Sequence, residues 1–279
     1  MSASVAFDKA RAEGRAALIG YLPAGFPTVE GGVAAVRALA ESGVDLIEVG
    51  FPYSDPVMDG PTIQRATEIA LAGGVRAADV LRTVEAAARA GVPALVMTYW
   101  NLVERYSGGR PDRGADSFAR DLVSAGGSGL ITPDLIPDEA DDWLAASDQH
   151  GLDRVFLVAP SSTEARVTAT VAACRGFVYA TSVMGVTGAR DSTSQTAPAL
   201  VARVRRAVAT ANPGLPIGVG LGVRDGAQAA EVGSYADGVI VGSALVQCLL
   251  GAEESAGLAA LRELGAALAA GVRRSTPPT

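Results

Sequence analysis

Eight short apolar segments alternate with longer amphipathic segments along the whole chain. The apolar segments are residues 16–22, 44–50, 92–98, 129–132, 154–159, 176–180, 216–220 and 238–241. Helical periodicity covers residues 28–42, 62–72, 77–90, 116–125, 137–149, 163–173, 197–210, 225–233 and 255–271, and a helix at 3–13 precedes the first strand. Units of roughly thirty residues, joined without a linker, predict an α/β fold, a (β/α)8 TIM barrel with an N-terminal extra helix.

The alternative arrangement of alternating strands and helices is a doubly wound open sheet. That fold carries a glycine fingerprint after its first strand, and residues 23–27, Pro-Ala-Gly-Phe-Pro, lack it. The length of 279 residues is also close to the ~250 residues of one barrel. We therefore expect a single domain over residues 1–279, with 107–115 as an insertion or flexible loop and 275–279 as a loose tail.

The composition argues against several classes of partner. A net charge of −7 disfavours nucleic acid and anionic membrane surfaces. Two cysteines without a CxxC motif fit a reducing compartment better than a disulfide framework. Residues 1–15 do not resemble a signal peptide, and no apolar stretch is predicted to be long enough to span a bilayer. We expect a cytoplasmic protein.

Residues 47–61 carry three carboxylates, at the end of the second predicted strand and in the loop after it. Glu48 interrupts an apolar strand, where a carboxylate is costly to desolvate unless it is paired or has a function. Asp55 and Asp59 follow in a loop that three prolines stiffen. We interpret Glu48 and Asp59 as catalytic candidates and Asp55 as a supporting or helix-capping residue.

Glycine-rich turns follow the last three predicted strands, at residues 185–188, 220–222 and 242–243. Glycines let backbone N–H groups approach an anion, and TIM barrels often hold a phosphate after strands seven and eight. One such turn alone is as typical of an ordinary tight connection as of an anion-binding site. Three of them on one barrel face predict a phosphate site. The long loop after the sixth strand, which contains Thr187, has the composition of a lid.

The scarcity of two residue types limits the possible chemistry. The only lysine, Lys9, lies in the N-terminal helix, which argues against a Schiff-base aldolase. The only histidine, His150, stands alone at a predicted helix end and is interpreted as structural, so we predict no metal site. What remains is proton transfer by two carboxylates, that is, general acid/base cleavage or isomerisation of a phosphorylated substrate.

Residues 47–64 read IEVGFPYSDPVMDGPTIQ, and this stretch closely resembles the signature of the tryptophan synthase α subunit family. Other motifs of that family fall in the same order along nearly the whole chain, namely Tyr21 with 23–27, then 99–101, Asp134, Tyr179, 185–188, 220–222 and 242–243. The family cleaves indole-3-glycerol phosphate to indole and glyceraldehyde 3-phosphate, a retro-aldol reaction without metal or cofactor. The resemblance implies this lyase activity, in L-tryptophan biosynthesis.

The resemblance also implies roles for individual residues. Glu48 matches the general acid/base that protonates indole C3 and helps to deprotonate the side-chain hydroxyl. Asp59 matches the group that binds the indole N–H, and Thr187 matches the lid threonine that bonds Asp59 on closure. The other implied substrate-binding residues are Tyr179 beside the glutamate, Gly188, Gly222, Gly242 and Ser243 around the phosphate, and Tyr21, Ile63, Met97 and Thr132 around the indole ring.

Members of this family bind a β subunit in an α₂β₂ heterotetramer, and the resemblance implies the same partner here. Pyridoxal phosphate is then expected on the β subunit and no cofactor in this chain. Two alternatives stay open: a free-standing lyase that releases indole, and a catalytically weak scaffold that activates a β subunit. Two features depart from the family, Met58 where many members have alanine, and the 107–115 loop, which resembles an insertion on the face where the family docks its β subunit.

Overall fold

The predicted strands are present in the computed structural model, which describes residues 1–181, 196–220 and 222–274. The strands are β1 Ala17–Pro23, β2 Leu46–Gly50, β3 Ala94–Met97, β4 Gly129–Ile131, β5 Asp153–Val155, β6 Leu157–Val158, β7 Val178–Thr181, β8 Ile217–Gly220 and β9 Gly238–Val241. All of their pairings are parallel. Parallel neighbours need a crossover connection, and the helices between the strands supply it.

The helices occupy the stretches between the strands, close to the predicted bounds. They are α1 Ser4–Ala12, α2 Val29–Glu41, α3 Pro61–Ala72, α4 Ala77–Arg89, α5 Trp100–Glu104, α6 Ala115–Ser124, α7 Asp141–His150, α8 Glu164–Ala173, α9 Thr196–Ala211, α10 Gly226–Gly233, α11 Ser243–Leu249 and α12 Glu254–Val272, with a 3-10 turn at Pro137–Glu139. The sequence analysis did not predict α5. It also treated the 3-10 turn and α7 as one helix, whereas the backbone leaves helical geometry at Ala140 (φ −104°).

The strands form one sheet in the order β5-β4-β3-β2-β1-β9-β8-β7-β6. Its two edge strands, β5 and β6, are consecutive in the chain and separated only by Phe156, so the ends of the sheet meet and a barrel results. The predicted fifth strand is therefore present in two segments, of which β5 pairs with β4 and β6 pairs with β7. The predicted (β/α)8 barrel is confirmed.

Glycine conformation explains one shifted strand boundary. The sixth predicted strand was expected to begin at residue 176, but β7 begins at Val178. Gly176 has a φ of +93°, which is incompatible with an extended strand and unfavourable for residues with a side chain. The sequence prediction counted this glycine as part of the strand because it adjoins an apolar run.

The barrel interior is a separate apolar cluster from the layer between strands and helices. Its members are Ala3, Ala6, Phe7, Ala10, Ala17, Ile19, Leu46, Leu95, Ile131, Val155, Phe177, Tyr179 and Ile240. Phe7 of α1 lies 5.2 Å from the Phe177 ring, centroid to centroid. The predicted extra helix α1 therefore closes the end of the barrel at which the strands begin, and functional groups are left to the opposite end.

Two buried carboxylates hold this closed end together. Asp153 accepts hydrogen bonds from the Ala3 amide (2.6 Å) and the Ser2 hydroxyl (2.9 Å), and so anchors the start of α1. Asp45 binds the Arg15 guanidinium with both oxygens, at 2.6 and 2.8 Å, and also accepts the Leu18 amide at 2.9 Å. These carboxylates satisfy backbone donors and a buried cation, which assigns them a structural role.

The segment at 107–114 is tied to α6 by ion pairs. Arg110 binds Asp121 at 2.6 Å, and Asp112 binds Arg120 at 2.6 Å. Residue 115, the last of the predicted loop, is the first residue of α6. Whether the segment is an insertion relative to the family stays a prediction, and the predicted loose tail at 275–279 lies outside the described residues.

The last helix, α12, corrects one sequence expectation. Its 19 residues reach a mean hydropathy of 1.2, so by length and composition this helix could cross a membrane, although no such stretch was predicted. In the barrel it contacts α2, α10 and α11. A Cβ at Gly271 would lie 2.2 Å from the Gly226 carbonyl oxygen, which shows how closely the two helices pack. This packing accounts for the buried face of α12, which holds Leu261, Leu268 and Val272 among others.

Candidate active site

Glu48 lies in the middle of β2, with its side chain directed into the barrel. The alternation along β2 places Glu48 on the same face as Leu46, a member of the interior cluster. Only 1% of its surface is exposed, and neither carboxylate oxygen has a hydrogen-bond partner among the described residues. Burial raises the pKa of Glu48 to about 8, so the carboxyl group is mostly protonated at neutral pH. A structural acid would be paired, and this one is not.

Two buried tyrosines flank this carboxyl group. Tyr21 is the register partner of Glu48 across β1 and β2, and Tyr179 lies on the opposite side of the barrel in β7. Burial raises the pKa of both phenols well above the ordinary value, and the charge of Glu48 contributes to both shifts. Both hydroxyls therefore stay protonated and can donate a hydrogen bond into the barrel mouth.

Two glycines make room for these rings. A Cβ at Gly50 would lie 2.3 Å from the Tyr21 hydroxyl oxygen, and one at Gly220 would lie 2.4 Å from that of Tyr179. Neither distance is possible for a real side chain. The sequence analysis assigned Gly50 only to a strand end and Gly220 to a phosphate turn, so it missed that both also accommodate a tyrosine. A glycine at an inward position near a strand end was the available signal.

Asp59 lies in the loop between β2 and α3, close to the same mouth. The Gln64 side-chain amide donates to the Asp59 carbonyl oxygen at 2.8 Å, and α3 begins two residues later with Pro61. Burial raises the pKa of the Asp59 carboxyl to about 6. The charge of Asp59 also raises the pKa of Tyr21, after burial. Glu48 contributes to the same shift after Asp59, so both predicted catalytic acids lie within electrostatic range of the Tyr21 phenol.

Tyr99, just after β3, holds the loop that precedes Asp59. Its hydroxyl oxygen accepts the backbone N–H groups of Val57 at 3.0 Å and Met58 at 3.1 Å. The Tyr53 ring packs against it with a centroid distance of 5.0 Å. The sequence analysis named Tyr99 only as part of a family motif and missed this contact, because nothing in the sequence pairs a tyrosine with amides some forty residues earlier.

The predicted phosphate residues are only partly described by the structure. Gly222 has a φ of +71°, a conformation that favours glycine. Gly242 precedes α11, and Ser243 is its first residue, with 7% of its surface exposed. Thr187 and Gly188, together with the rest of the predicted lid from residue 182 to residue 191, lie outside the described residues.

The predicted indole-ring residues surround the same mouth in part. Ile63 in α3 is buried and would lie 3.5 Å from a Cβ at Gly242, which also borders Tyr21. Met97 ends β3 and packs against both the interior and the outer apolar clusters. Thr132 follows β4, is 1% exposed, and its hydroxyl has no partner among the described residues. These contacts place Tyr21, Ile63 and Gly242 together, and the substrate-binding roles of all these residues stay predictions.

The remaining polar candidates have ordinary contacts. His150 binds Asp116 at 2.8 Å at the end of α7. Asp55 is exposed and accepts a hydrogen bond from the Ser54 hydroxyl. Among the described residues, no three His, Cys, Asp or Glu side chains lie close enough together to hold a metal ion.

Comparisons with known proteins match this arrangement over nearly the full chain. A family profile described as tryptophan synthase alpha chain covers residues 7–271. The tryptophan synthase alpha chain of Salinispora arenicola is 67% identical over 270 residues, which is 96% of this chain and 97% of that protein. The corresponding chain of Mycobacterium marinum is 64% identical over 98% of this chain and 95% of that protein.

Solved structures agree with the sequence relatives. A structure of Mycobacterium tuberculosis tryptophan synthase superposes with a TM-score of 0.88 at 62% identity, covering 97% of this chain and 98% of that one. A crystal structure of tryptophan synthase subunit alpha from Legionella pneumophila gives a TM-score of 0.82 at 32% identity, covering 98% of both chains. The fold is thus similar to these proteins at both high and moderate sequence identity.

Proposed function

Since this chain belongs to the tryptophan synthase alpha chain family, we propose that it cleaves indole-3-glycerol phosphate to indole and glyceraldehyde 3-phosphate. The observation that carries the proposal is the Glu48 carboxyl group, buried at the barrel mouth without a hydrogen-bond partner among the described residues and with a pKa raised to about 8. A neutral acid in such a position can deliver a proton to a bound carbon atom.

Glu48 acts first as an acid and then as a base. Its proton goes to C3 of the indole ring, and the ring becomes a cation that can accept the electrons of the C–C bond. That bond breaks, its electron pair returns to the ring, and the side-chain hydroxyl loses its proton to the Glu48 carboxylate as the aldehyde forms. Glu48 donates one proton and takes one back, so its carboxyl group is restored without a metal or cofactor.

Asp59 acts as an anion throughout the reaction. Its carboxylate accepts the indole N–H and stabilises the positive charge that develops on the ring when C3 is protonated. The pKa of about 6 leaves Asp59 ionised at neutral pH while Glu48 stays protonated. Two carboxyl groups at one mouth can therefore take opposite roles.

The rest of the substrate is held by the residues that the sequence analysis predicted. Gly188, Gly222, Gly242 and Ser243 bind the phosphate through backbone N–H groups and the Ser243 hydroxyl. Tyr21, Ile63, Met97 and Thr132 surround the indole ring, Tyr179 stands beside Glu48, and Thr187 bonds Asp59 when the lid closes. The support is that the described members border the same end of the barrel.

The chain functions as the α subunit of an α₂β₂ assembly with a β subunit that carries the pyridoxal phosphate. Val57, beside Asp59 and 70% exposed, gives the catalytic loop an apolar surface that such a partner would cover. The only lysine, Lys9, lies in α1 at the closed end of the barrel, away from the proposed site.

The location is cytoplasmic, which fits two free cysteines, Cys174 and Cys248.

Indole release from indole-3-glycerol phosphate tests the proposal. The full chain should release indole, and Glu48→Gln should reduce the rate by at least about 100-fold, because the amide cannot transfer the proton. Asp55→Asn, a matched loss of a carboxylate from the exposed part of the same loop, should retain the rate. An unaltered rate in Glu48→Gln would refute the catalytic assignment. If adding a β subunit leaves an already fast rate unchanged, the chain is a free-standing lyase instead.

A further inference from the structure

The hydroxyl oxygen of Tyr99 is the acceptor for two consecutive backbone amides of the catalytic loop. Val57 N lies 3.0 Å from this oxygen and Met58 N lies 3.1 Å from it. The Met58 peptide directly precedes Asp59 in the chain. Because a peptide is planar and rigid, fixing these two amides restricts where the backbone can present the Asp59 side chain.

Tyr99 is itself held by its surroundings. Only 7% of its surface is exposed, and its ring packs against Tyr53. The next residue, Trp100, donates its backbone N–H to the Asp134 carboxylate at 3.0 and 3.1 Å to its two oxygens, which ties the start of α5 to the segment after β4. The phenol therefore projects from backbone that is anchored to a neighbouring barrel strand.

The side of the loop after Asp59 is also restrained. Gln64 donates its side-chain N–H to the Asp59 carbonyl oxygen, and Pro61 fixes the first turn of α3. The carboxylate of Asp59 thus lies between one restraint from its own helix and one from Tyr99. Of these two restraints, the one from Tyr99 joins the part of the loop next to Asp59 to another βα unit.

We propose that Tyr99 is a positioning residue for Asp59, acting through the Val57 and Met58 amides rather than by contact with the reacting atoms. The inference rests on the proposed function, since it assigns Tyr99 a part in that same reaction. Without the hydroxyl, the two amides lose their acceptor, the loop moves outward and the Asp59 carboxylate departs from the indole N–H. A displacement of this kind reduces turnover more than substrate binding, because the charge that Asp59 stabilises develops only during the reaction.

Tyr99→Phe in the full chain is the test, with Tyr106→Phe as the matched control. Tyr106 is a buried tyrosine close in sequence whose hydroxyl donates to Asp121 at 2.6 Å, away from the catalytic loop. Tyr99→Phe should lower kcat for indole release by about tenfold while KM changes by less than about threefold. Tyr106→Phe should leave both constants near those of the original chain. If the two variants behave alike, Tyr99 does not position Asp59.

A second readout separates positioning from a general loss of structure. Indole and benzofuran are similar in shape, but only indole offers an N–H to Asp59. The original chain should bind indole more tightly than benzofuran, and Tyr99→Phe should reduce that preference toward the value of Asp59→Asn. In the Asp59→Asn background, Tyr99→Phe should have no further effect on the preference. A further loss there would overturn the inference.

These outcomes also distinguish the inference from the proposed function. If Glu48→Gln retains full activity, the proposed chemistry fails whatever Tyr99 does. If Glu48→Gln is inactive and Tyr99→Phe matches Tyr106→Phe in kcat and in indole preference, the chemistry stands and only the positioning role is lost.

Discussion

Tyr21 and Glu48 lie side by side as register partners on the neighbouring parallel strands β1 and β2. The Tyr21 ring lies over Gly50, the last residue of β2, where any side chain would collide with the phenol. Glu48 lies two residues before Gly50 on the same face of β2, and only 1% of its surface is exposed. Exclusion of water, rather than a nearby anion, is what raises its pKa to about 8. The strand pairing thus places an acid that stays neutral near pH 7 at the open end of the barrel.

The opposite protonation states of Glu48 and Asp59 predict a bell-shaped pH profile for kcat/KM. Asp59 must lose its proton before it can stabilise the ring cation, so activity should rise with pH near 6. Glu48 must keep its proton before it can act as an acid, so activity should fall near pH 8. The measurement is initial indole release between pH 5 and 9. The residual activity of Asp59→Asn should lack the acidic limb, and a profile that keeps this limb would contradict the assignment.

Glu48→Gln should be more stable than the original chain at alkaline pH. The folded-state pKa of Glu48 lies above its unfolded value, so the folded protein binds this proton more tightly and loses stability as pH rises from 4.5 to about 8. The glutamine cannot ionise and escapes that loss. The difference in the free energy of unfolding should be near zero below pH 4.5 and reach about 5 kcal/mol above pH 8. Denaturant titrations at pH 4 and pH 9 measure it, and equal differences at the two values would contradict the prediction.

The barrel could be predicted from the sequence because the apolar runs of the strands and the helical periodicity between them are local properties of each segment. An apolar run such as 238–241 becomes β9 with the same bounds, since neither end requires information from elsewhere in the chain. The two acids could be chosen as candidates for a similar reason: Glu48 breaks an apolar strand, and Asp59 lies among prolines. Single residues out of place in a regular pattern are visible without a structure.

Contacts between distant segments could not be predicted in this way. The partnership of Tyr99 with the Val57 and Met58 amides depends on the register of neighbouring strands and on the path of a loop, which no periodicity specifies. The division of the fifth strand at Phe156 has the same origin, because each half pairs with a different neighbour. The role of Gly50 was missed since its constraint comes from Tyr21, which lies in another strand.

Gly50→Ala should damage the site more than the fold. The added Cβ would lie 2.3 Å from the Tyr21 hydroxyl oxygen, so the phenol must move away from Glu48. We expect a loss of about 1 to 3 kcal/mol in stability from overpacking, together with a fall in kcat/KM of at least about tenfold. Gly73→Ala is the control, because that residue ends α3 with a negative φ and its nearest neighbours would be 3.3 Å from the new atom. Equal activity in the two variants would show that the Tyr21 position does not matter.

Asp45→Asn should have the opposite effect, with a large loss of stability and little change in the chemistry. The Arg15 and Asp45 side chains are only 2% and 3% exposed, and the pair lies at the closed end of the barrel. Removing the Asp45 charge leaves the buried guanidinium with only the partly exposed Glu13 carboxylate as a counterion, at 2.7 Å. We therefore expect a cost near the lower end of the range of about 3 to 5 kcal/mol for a broken buried pair. The exposed pair of Arg262 with Glu41 is the comparison, and Glu41→Gln should change stability by less than about 1 kcal/mol. Denaturant unfolding and kcat per folded molecule measure the two effects. A fall in kcat at unchanged stability would mean that the two ends of the barrel are coupled, contrary to the separation between the paired Asp45 at the closed end and the unpartnered Glu48 at the open end.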